Sequence, residues 1–284
     1  MPELPEVETI ARTLTPLVQD KRVTNVRVLL PRSVDTGSLP LESLCGRRFT
    51  GAGRRGKLAL LKFEPERGSA DEAHMLGVHL KMTGRLFVYP EDTPPTPHTR
   101  VAFGLEDAQG RREQLFFDDA RTFGYMRLVS PATLPQWAFW QKLGLEPLET
   151  PVPTLAQCLR TTGRAVKAAL LDQELVAGIG NIYADEALFR AGIDPRTPAK
   201  KLSHAQGEKL FSCVAEVLRE SIEQCGSSIR DYRTARGDAG AFQNYFRVYG
   251  RSGQQCYVCG TALVSCKVAG RTTVLCPQCQ HVAG

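Results

Sequence analysis

The chain opens Met-Pro-Glu-Leu-Pro-Glu, which puts a proline and two acids, Pro2, Glu3 and Glu6, at its head. Removal of Met1, favoured by the small second residue, would leave Pro2 as a secondary amine, a nucleophile that needs no side chain. Its unperturbed pKa lies near ~8 against ~10.4 for a lysine, so more of it is neutral at neutral pH. The plainer alternative is a helix entry, since proline and acids suit a first helical turn. A second constellation lies at the far end: Cys256-x-x-Cys259 and Cys276-x-x-Cys279, sixteen residues apart. Two such knuckles fit a four-thiolate zinc site. Four thiolates leave no position for water, so the metal is structural. Cys266 falls inside the intervening hairpin and is not expected to be a ligand. At the turn of that hairpin stands Arg271, placed to enter a narrow, negatively charged groove; a solvated turn arginine is the alternative.

The elements that carry these groups follow from composition and periodicity. The 284 residues suffice for two domains, and 42% hydrophobic with 23% charged content is globular. No apolar run is long enough to cross a bilayer and no basic-then-apolar leader precedes the acidic start, so a cytoplasmic protein is expected. Net charge is +6, and from Arg230 onward seven basic residues face two acidic ones. Arginines interleaved with Tyr232, Phe242, Tyr245, Phe246 and Tyr249 fit a phosphate-bearing partner. Nine cysteines without a secretion signal argue against a disulfide framework.

Val7, Ile10, Ala11, Leu14, Leu17 and Val18 recur at helical spacing, with Pro16 expected to shorten or kink the last turn. From Val23 to Val129, short extended runs separated by Gly, Pro, Asp and Thr predict an antiparallel sandwich or barrel. Beyond Thr154 the pattern is helical, and the last helix is capped by Ser203 and stopped by Gly226. "VAGIGNIYADEALF" sets Gly178 and Gly180 before a helix beginning near Asn181. Its free N–H groups and the Asn amide suit a phosphate. The expected division is a catalytic β-sandwich over 1–135, a linker over 136–153, a DNA-binding helical domain with a mobile loop over 154–250 and a zinc hairpin over 251–284.

Taken together, "PELPEVE", "GNIYADE" and "YGRSGQQCYVCG…GRTTVLCPQCQ" resemble the bacterial formamidopyrimidine-DNA glycosylases nearly end to end. The resemblance implies an α+β multi-domain fold: an N-terminal helix with an antiparallel β-sandwich, then a helix–two-turns–helix domain with a zinc β-hairpin. It implies a monomeric, bifunctional enzyme of base excision repair that removes oxidised purines from duplex DNA and then cuts the abasic strand. Pro2 would be the nucleophile, forming an iminium at the sugar. Because proline nitrogen bears no second hydrogen, that iminium stays cationic and drives both eliminations. Glu3 would move protons, and Glu6 would support it. The helix start disfavours the ammonium form of Pro2, while Glu3 and Glu6 favour it.

Lys57 resembles the family lysine that assists near the phosphate and sugar, and Arg271 the zinc-finger arginine; both are grouped with the catalytic set. Lys167 resembles the lysine close to the lesion and Asn181 the phosphate-binding asparagine. Met82, Arg121 and Phe123 resemble the trio inserted where the nucleotide is extruded; by themselves Met82 and Phe123 would read as core. His98 is carried with the DNA-contacting residues, although His74, His79 and His98 each also fit a structural or surface histidine. One departure is Thr122, where the family motif often has a second arginine, so a phosphate contact is expected to be lost. The loop from Ile229 to Tyr245 is expected to close over the flipped base. Two rivals stand beside this reading: a pyrimidine-preferring glycosylase-lyase of the endonuclease VIII type, and a zinc-containing DNA binder with no catalysis.

Overall fold

The computed structural model describes residues 1–65, 74–229 and 232–282. Arg230 and Asp231, counted above in the basic stretch, lie outside the described residues.

Helix α1 (Leu4–Val18) forms where the helical spacing predicts it, burying Val7, Ile10, Leu14 and Val18 on one face. Pro16 does not end it; the helix runs on to Val18. The helix lies against two antiparallel sheets. Strands β1 (Arg22–Val28), β6 (Thr99–Glu106), β7 (Arg112–Asp119) and β5 (Gly84–Pro90) form one, in that order. Strands β2 (Phe49–Arg55), β3 (Leu58–Phe63), β4 (His74–His79) and β8 (Tyr125–Val129) form the other. One core joins all three, with Ile10, Phe49, Phe63, Phe103 and Phe117 in it. Arg54 of β2 pairs with Glu8 at 3.0 Å and Thr15 Oγ1 accepts the Ala52 N–H at 3.1 Å, which fixes α1 on the sheet edge. Trp137 is buried against Leu58, Leu60 and Val129, beside the short helix α2 (Ala138–Lys142).

The chain divides into two compact units, Met1–Gln141 with Cys225–Gly240, and Lys142–Gln224 with Ala241–Gly284. The segment 225–240, grouped above with the helical domain, therefore packs with the strand-rich unit. The second unit holds α3 (Val152–Leu159), α4 (Val166–Leu171), α5 (Asn181–Ala191) and α6 (His204–Glu223). Ser203 caps α6 through a reciprocal box with Gln206, and Cys225 and Gly226 follow its end at φ 58° and 78°. The unit finishes in the hairpin β9 (Val264–Val268) and β10 (Arg271–Leu275). No helix among the described residues is long and apolar enough to cross a membrane.

Candidate functional site

Pro2, Glu3 and Glu6 are all buried at the head of α1. Glu3 is the N-cap, and its backbone N–H donates to Glu6 Oε2 at 2.8 Å. The other oxygen of Glu6 accepts the Ser227 N–H at 2.8 Å and the Ser227 hydroxyl at 3.0 Å. Tyr232 donates its hydroxyl to the Glu6 carbonyl at 3.4 Å, and burial, then the Glu6 charge, push its phenol well above the usual range. A side chain at Gly226 would meet Glu6 Cγ and Oε1 at 3.1 Å in a backbone with φ 78°, so a substitution there is strained and pushes on Glu6. Farther along, Ala235 N–H reaches Thr13 Oγ1 at 3.1 Å. Glu6 is thus a strap that fastens Ser227 and Tyr232 to α1, and Glu3 is the acid adjoining Pro2. The Pro2 nitrogen is an amide while Met1 is attached and becomes an amine only on its removal.

In the same unit Lys57 follows Gly56 (φ 54°) in the two-residue turn between β2 and β3, and is mostly buried. The strand register sets Leu58, His79 and Tyr125 side by side. His79 is buried between the Tyr125 and Phe139 rings and accepts the Lys81 N–H on Nδ1 at 3.2 Å. Its proton therefore sits on Nε2. Burial, then the charges of Lys81 and Lys57, push its pKa down to about 3, so it is a neutral, structural histidine.

Met82 is 39% and Phe123 55% exposed, which removes the core reading of both. Arg121 lies over the Phe123 ring at 4.9 Å. All three are exposed, Arg121 and Phe123 in contact with each other. Thr122 between them has φ 56° and accepts a hydrogen bond from Arg32 Nη2 at 2.9 Å, so the guanidinium of the 3-10 turn Pro31–Ser33 lies beside it. His98 is exposed and supplies its carbonyl to the Asp119 N–H.

In the second unit Arg271 begins β10 directly after a two-residue turn, Ala269-Gly270, with φ 49° and 72°. The left-handed pair matches the twist of a tight hairpin. Three side chains hold β10 from behind. Lys167, wholly buried, donates to Thr273 Oγ1 at 2.7 Å and to the Thr272 carbonyl at 3.3 Å. It pairs with buried Asp185 at 2.6 Å, whose second oxygen accepts the Val274 N–H at 3.2 Å. Burial pushes the Asp185 carboxyl up to about 6 against the pull of Lys167. Asn181, first residue of α5, donates its amide to the Thr272 carbonyl at 3.0 Å. Lys167 is thus bound to β10, and the Asn181 amide is engaged there as well.

The next residue, Glu186, accepts the N–H groups of Arg247, Val248 and Tyr249 at 2.8–3.0 Å. Asn181, Asp185, Glu186 and Phe189 therefore make one face of α5 the platform of the hairpin module. The string "GNIYADE" points to Asn181 but does not by itself mark Asp185 and Glu186. Two adjacent acids inside a helix of small and apolar residues were the available signal. Ser227 offered none.

The Sγ atoms of Cys256, Cys259, Cys276 and Cys279 all lie within 4.8 Å of one another, with Cys256–Cys279 at 3.9 Å and Cys259–Cys276 at 3.4 Å. A zinc tetrahedron with Zn–S near 2.3 Å requires sulfurs about 3.8 Å apart. The four thiolates fit one zinc ion, and Cys266 stands outside the cluster.

Comparison with known proteins agrees along the whole chain. Residues 1–126 match the formamidopyrimidine-DNA glycosylase N-terminal domain, 143–233 the H2TH domain of the same enzymes, and 253–282 the zinc finger found in FPG and IleRS. Formamidopyrimidine-DNA glycosylases of Nitratidesulfovibrio vulgaris and Desulfitobacterium hafniense are 42% and 41% identical, each over 99% of this chain and 100% of the relative. A crystal complex of a Lactococcus lactis FPG mutant with Fapy-dG containing DNA superposes with a TM-score of 0.86 at 35% identity, over 99% of this chain and 100% of that one. A second complex of that bacterium's FPG holds abasic DNA, with a TM-score of 0.85 at 35% identity, over 98% of this chain and 99% of that one.

Proposed function

The chain belongs to the formamidopyrimidine-DNA glycosylase family, and on that footing we propose that it excises 8-oxoguanine and formamidopyrimidines from duplex DNA and then cleaves the abasic strand, as a cytoplasmic monomer. The Pro2 amine attacks C1′ of the damaged nucleotide and the C1′–base bond breaks, the base leaving with a proton. The sugar ring opens as C1′–O4′ breaks, with a proton delivered to O4′, and the nitrogen is left as an iminium. Loss of the C2′ proton then expels the 3′-phosphate, and a further proton loss expels the 5′-phosphate. Glu3 carries protons in these steps. Lys57 serves near the phosphate and sugar. Asn181 and Arg271 contact DNA phosphates, while Lys167 is a positioning residue. Met82, Arg121 and Phe123 fill the gap left by the extruded nucleotide.

The observation that carries this reading is the head of α1. The Glu6 carboxylate accepts from the Glu3 N–H and from the Ser227 N–H and hydroxyl, and the acid adjoining Pro2 is the buried Glu3. Borohydride reduction during reaction with an 8-oxoguanine duplex is the test. A covalent protein–DNA adduct carried on Pro2 is expected from the wild type, and a strongly reduced yield from Pro2→Gly, whose primary amine gives an imine that can relax to a neutral form; Glu3→Gln is expected to lose excision. A wild type that cuts without forming an adduct, or an active preparation whose intact mass still includes Met1, overturns it. A second substrate class is favoured by one observation: a Lactococcus lactis FPG structure, 33% identical with a TM-score of 0.85, holds DNA with an oxidised pyrimidine. Parallel excision from thymine-glycol and 8-oxoguanine duplexes ranks the two.

A further inference from the structure

Met82 sits on the β4–β5 turn, while Arg121 and Phe123 sit on the β7–β8 turn. Three side chains that enter DNA together need these two turns held in register. Strand pairing brings the turns near each other, since Gly84 pairs with Asp119. The Asp119 side chain does the rest. It is 1% exposed, and it accepts from both turns. Thr83 donates its hydroxyl to Oδ1 at 2.5 Å. The Arg121 N–H reaches both Thr83 Oγ1, at 3.1 Å, and Asp119 Oδ1, at 3.3 Å. The Gly124 N–H donates to Oδ2 at 2.7 Å.

The Asp119 backbone is itself pinned, its N–H to the His98 carbonyl at 2.9 Å and its carbonyl to Arg100 Nε at 2.8 Å. Gly124 is obligatory beside it, because a Cβ there would stand 2.8 Å from the Phe117 ring and 3.1 Å from Asp119 Oδ2. Each turn also carries a non-glycine residue in the left-handed region next to an inserting side chain: Lys81 (φ 49°) before Met82, and Thr122 (φ 56°) before Phe123. Such backbone persists only where its surroundings over-determine it. Thr122 is over-determined by the hydrogen bonds that Arg121 and Gly124, on either side of it, make to Asp119, and Lys81 by its N–H to His79 Nδ1, with Thr83 two residues on tied to Asp119.

We propose that Asp119, with Thr83, is a positioning residue that clasps the two turns, so that Met82 and the Arg121–Phe123 pair enter the stack as one rigid unit. This rests on the reading of Met82, Arg121 and Phe123 as the inserting trio. The clasp touches no DNA. It fixes the spacing of the side chains that do, and misplacement by about 1 Å is enough to cost ~100-fold in a positioned reaction.

The experiment compares Thr83→Val, Thr83→Ser and Asp119→Asn with Met82→Ala/Phe123→Ala. Three readouts are taken: single-turnover excision of 8-oxoguanine from duplex, fluorescence of a 2-aminopurine beside the lesion as a report of stack opening, and borohydride trapping on a single-stranded abasic site, which needs no wedge. Thr83→Val and Asp119→Asn are expected to slow excision at least ~10-fold and to blunt the 2-aminopurine signal while keeping abasic trapping, and Thr83→Ser to restore both. If Thr83→Val and Asp119→Asn excise like wild type while Met82→Ala/Phe123→Ala does not, the clasp is wrong and the trio stands. If Met82→Ala/Phe123→Ala also excises like wild type, the trio itself is refuted and the clasp with it. Equal loss of excision and abasic trapping in Thr83→Val would mark a general structural role and overturn the proposal.

Discussion

Arg121 leaves a turn at the end of an eight-residue strand inside a four-stranded sheet, whereas Arg271 leaves a turn between two five-residue strands that pair only with each other. Both turns contain a non-glycine residue at positive φ, Thr122 and Ala269. Their supports differ. The first rests on a wide apolar core, so hydrogen bonds from Thr83, Arg121 and Gly124 to one buried carboxylate suffice to shape it. The second has a core of six residues, two of them metal ligands, and is held by thiolates, a buried ion pair and the amide of Asn181. An isolated two-stranded hairpin is marginal in water. It needs stronger, longer-range ties than a turn embedded in a sheet.

If this contrast holds, metal removal should separate the two regions most sharply. Stripping zinc with a strong chelator should unfold the 253–282 module and weaken DNA binding at least ~100-fold, since structural zinc supplies ~10 kcal/mol or more of folding free energy in modules of this size. Both tryptophans of the chain, Trp137 and Trp140, lie in the strand-rich unit. Their emission should stay unchanged, and a parallel loss of tryptophan signal would break the contrast.

Next in size is the buried pair. Lys167→Met leaves Asp185 without its partner in an apolar site, a loss of ~3–5 kcal/mol. Faster zinc release to a dye would report it. Adding Asp185→Leu should recover much of the stability, because a hydrophobic replacement removes the desolvation penalty. No recovery would mean that the hydrogen bond to Val274, rather than the charge pair, holds β10.

The smallest effect belongs to the first region and is a matter of pH. His79 is held near pKa 3 against an ordinary 6.5, so between these values the unfolded chain binds a proton that the folded one does not. Its contribution is fully present above about 6.5 and is lost as pH falls towards 3. The strand-rich unit should be about 2 kcal/mol less stable at pH 5 than at pH 8 from this group alone. Urea midpoints read by tryptophan fluorescence should show that difference, and His79→Gln should abolish it.

Part of this was legible in the residues themselves. Helix α1 and the strands announce themselves because local periodicity mirrors one buried face. The four-thiolate site does so because ligand spacing is set within each knuckle. Pro2 and Glu3 needed no fold to be noticed, since a terminal amine beside an acid is defined by connectivity. Pro16, in contrast, does not end its helix, because the packed face of α1 outweighs a local preference near the last turn.

What the chain order alone could not decide was which groups are spent on holding others. That Lys167 is buried and bonded to β10 is invisible in its local sequence. Met82 and Phe123, which by themselves would read as core, are exposed. Glu6 and Ser227, 221 positions apart, meet only through folding. Motif and period are properties of neighbours along the chain. Desolvation and hydrogen-bond commitment depend on residues brought together from far along it, so only the tertiary structure assigns them.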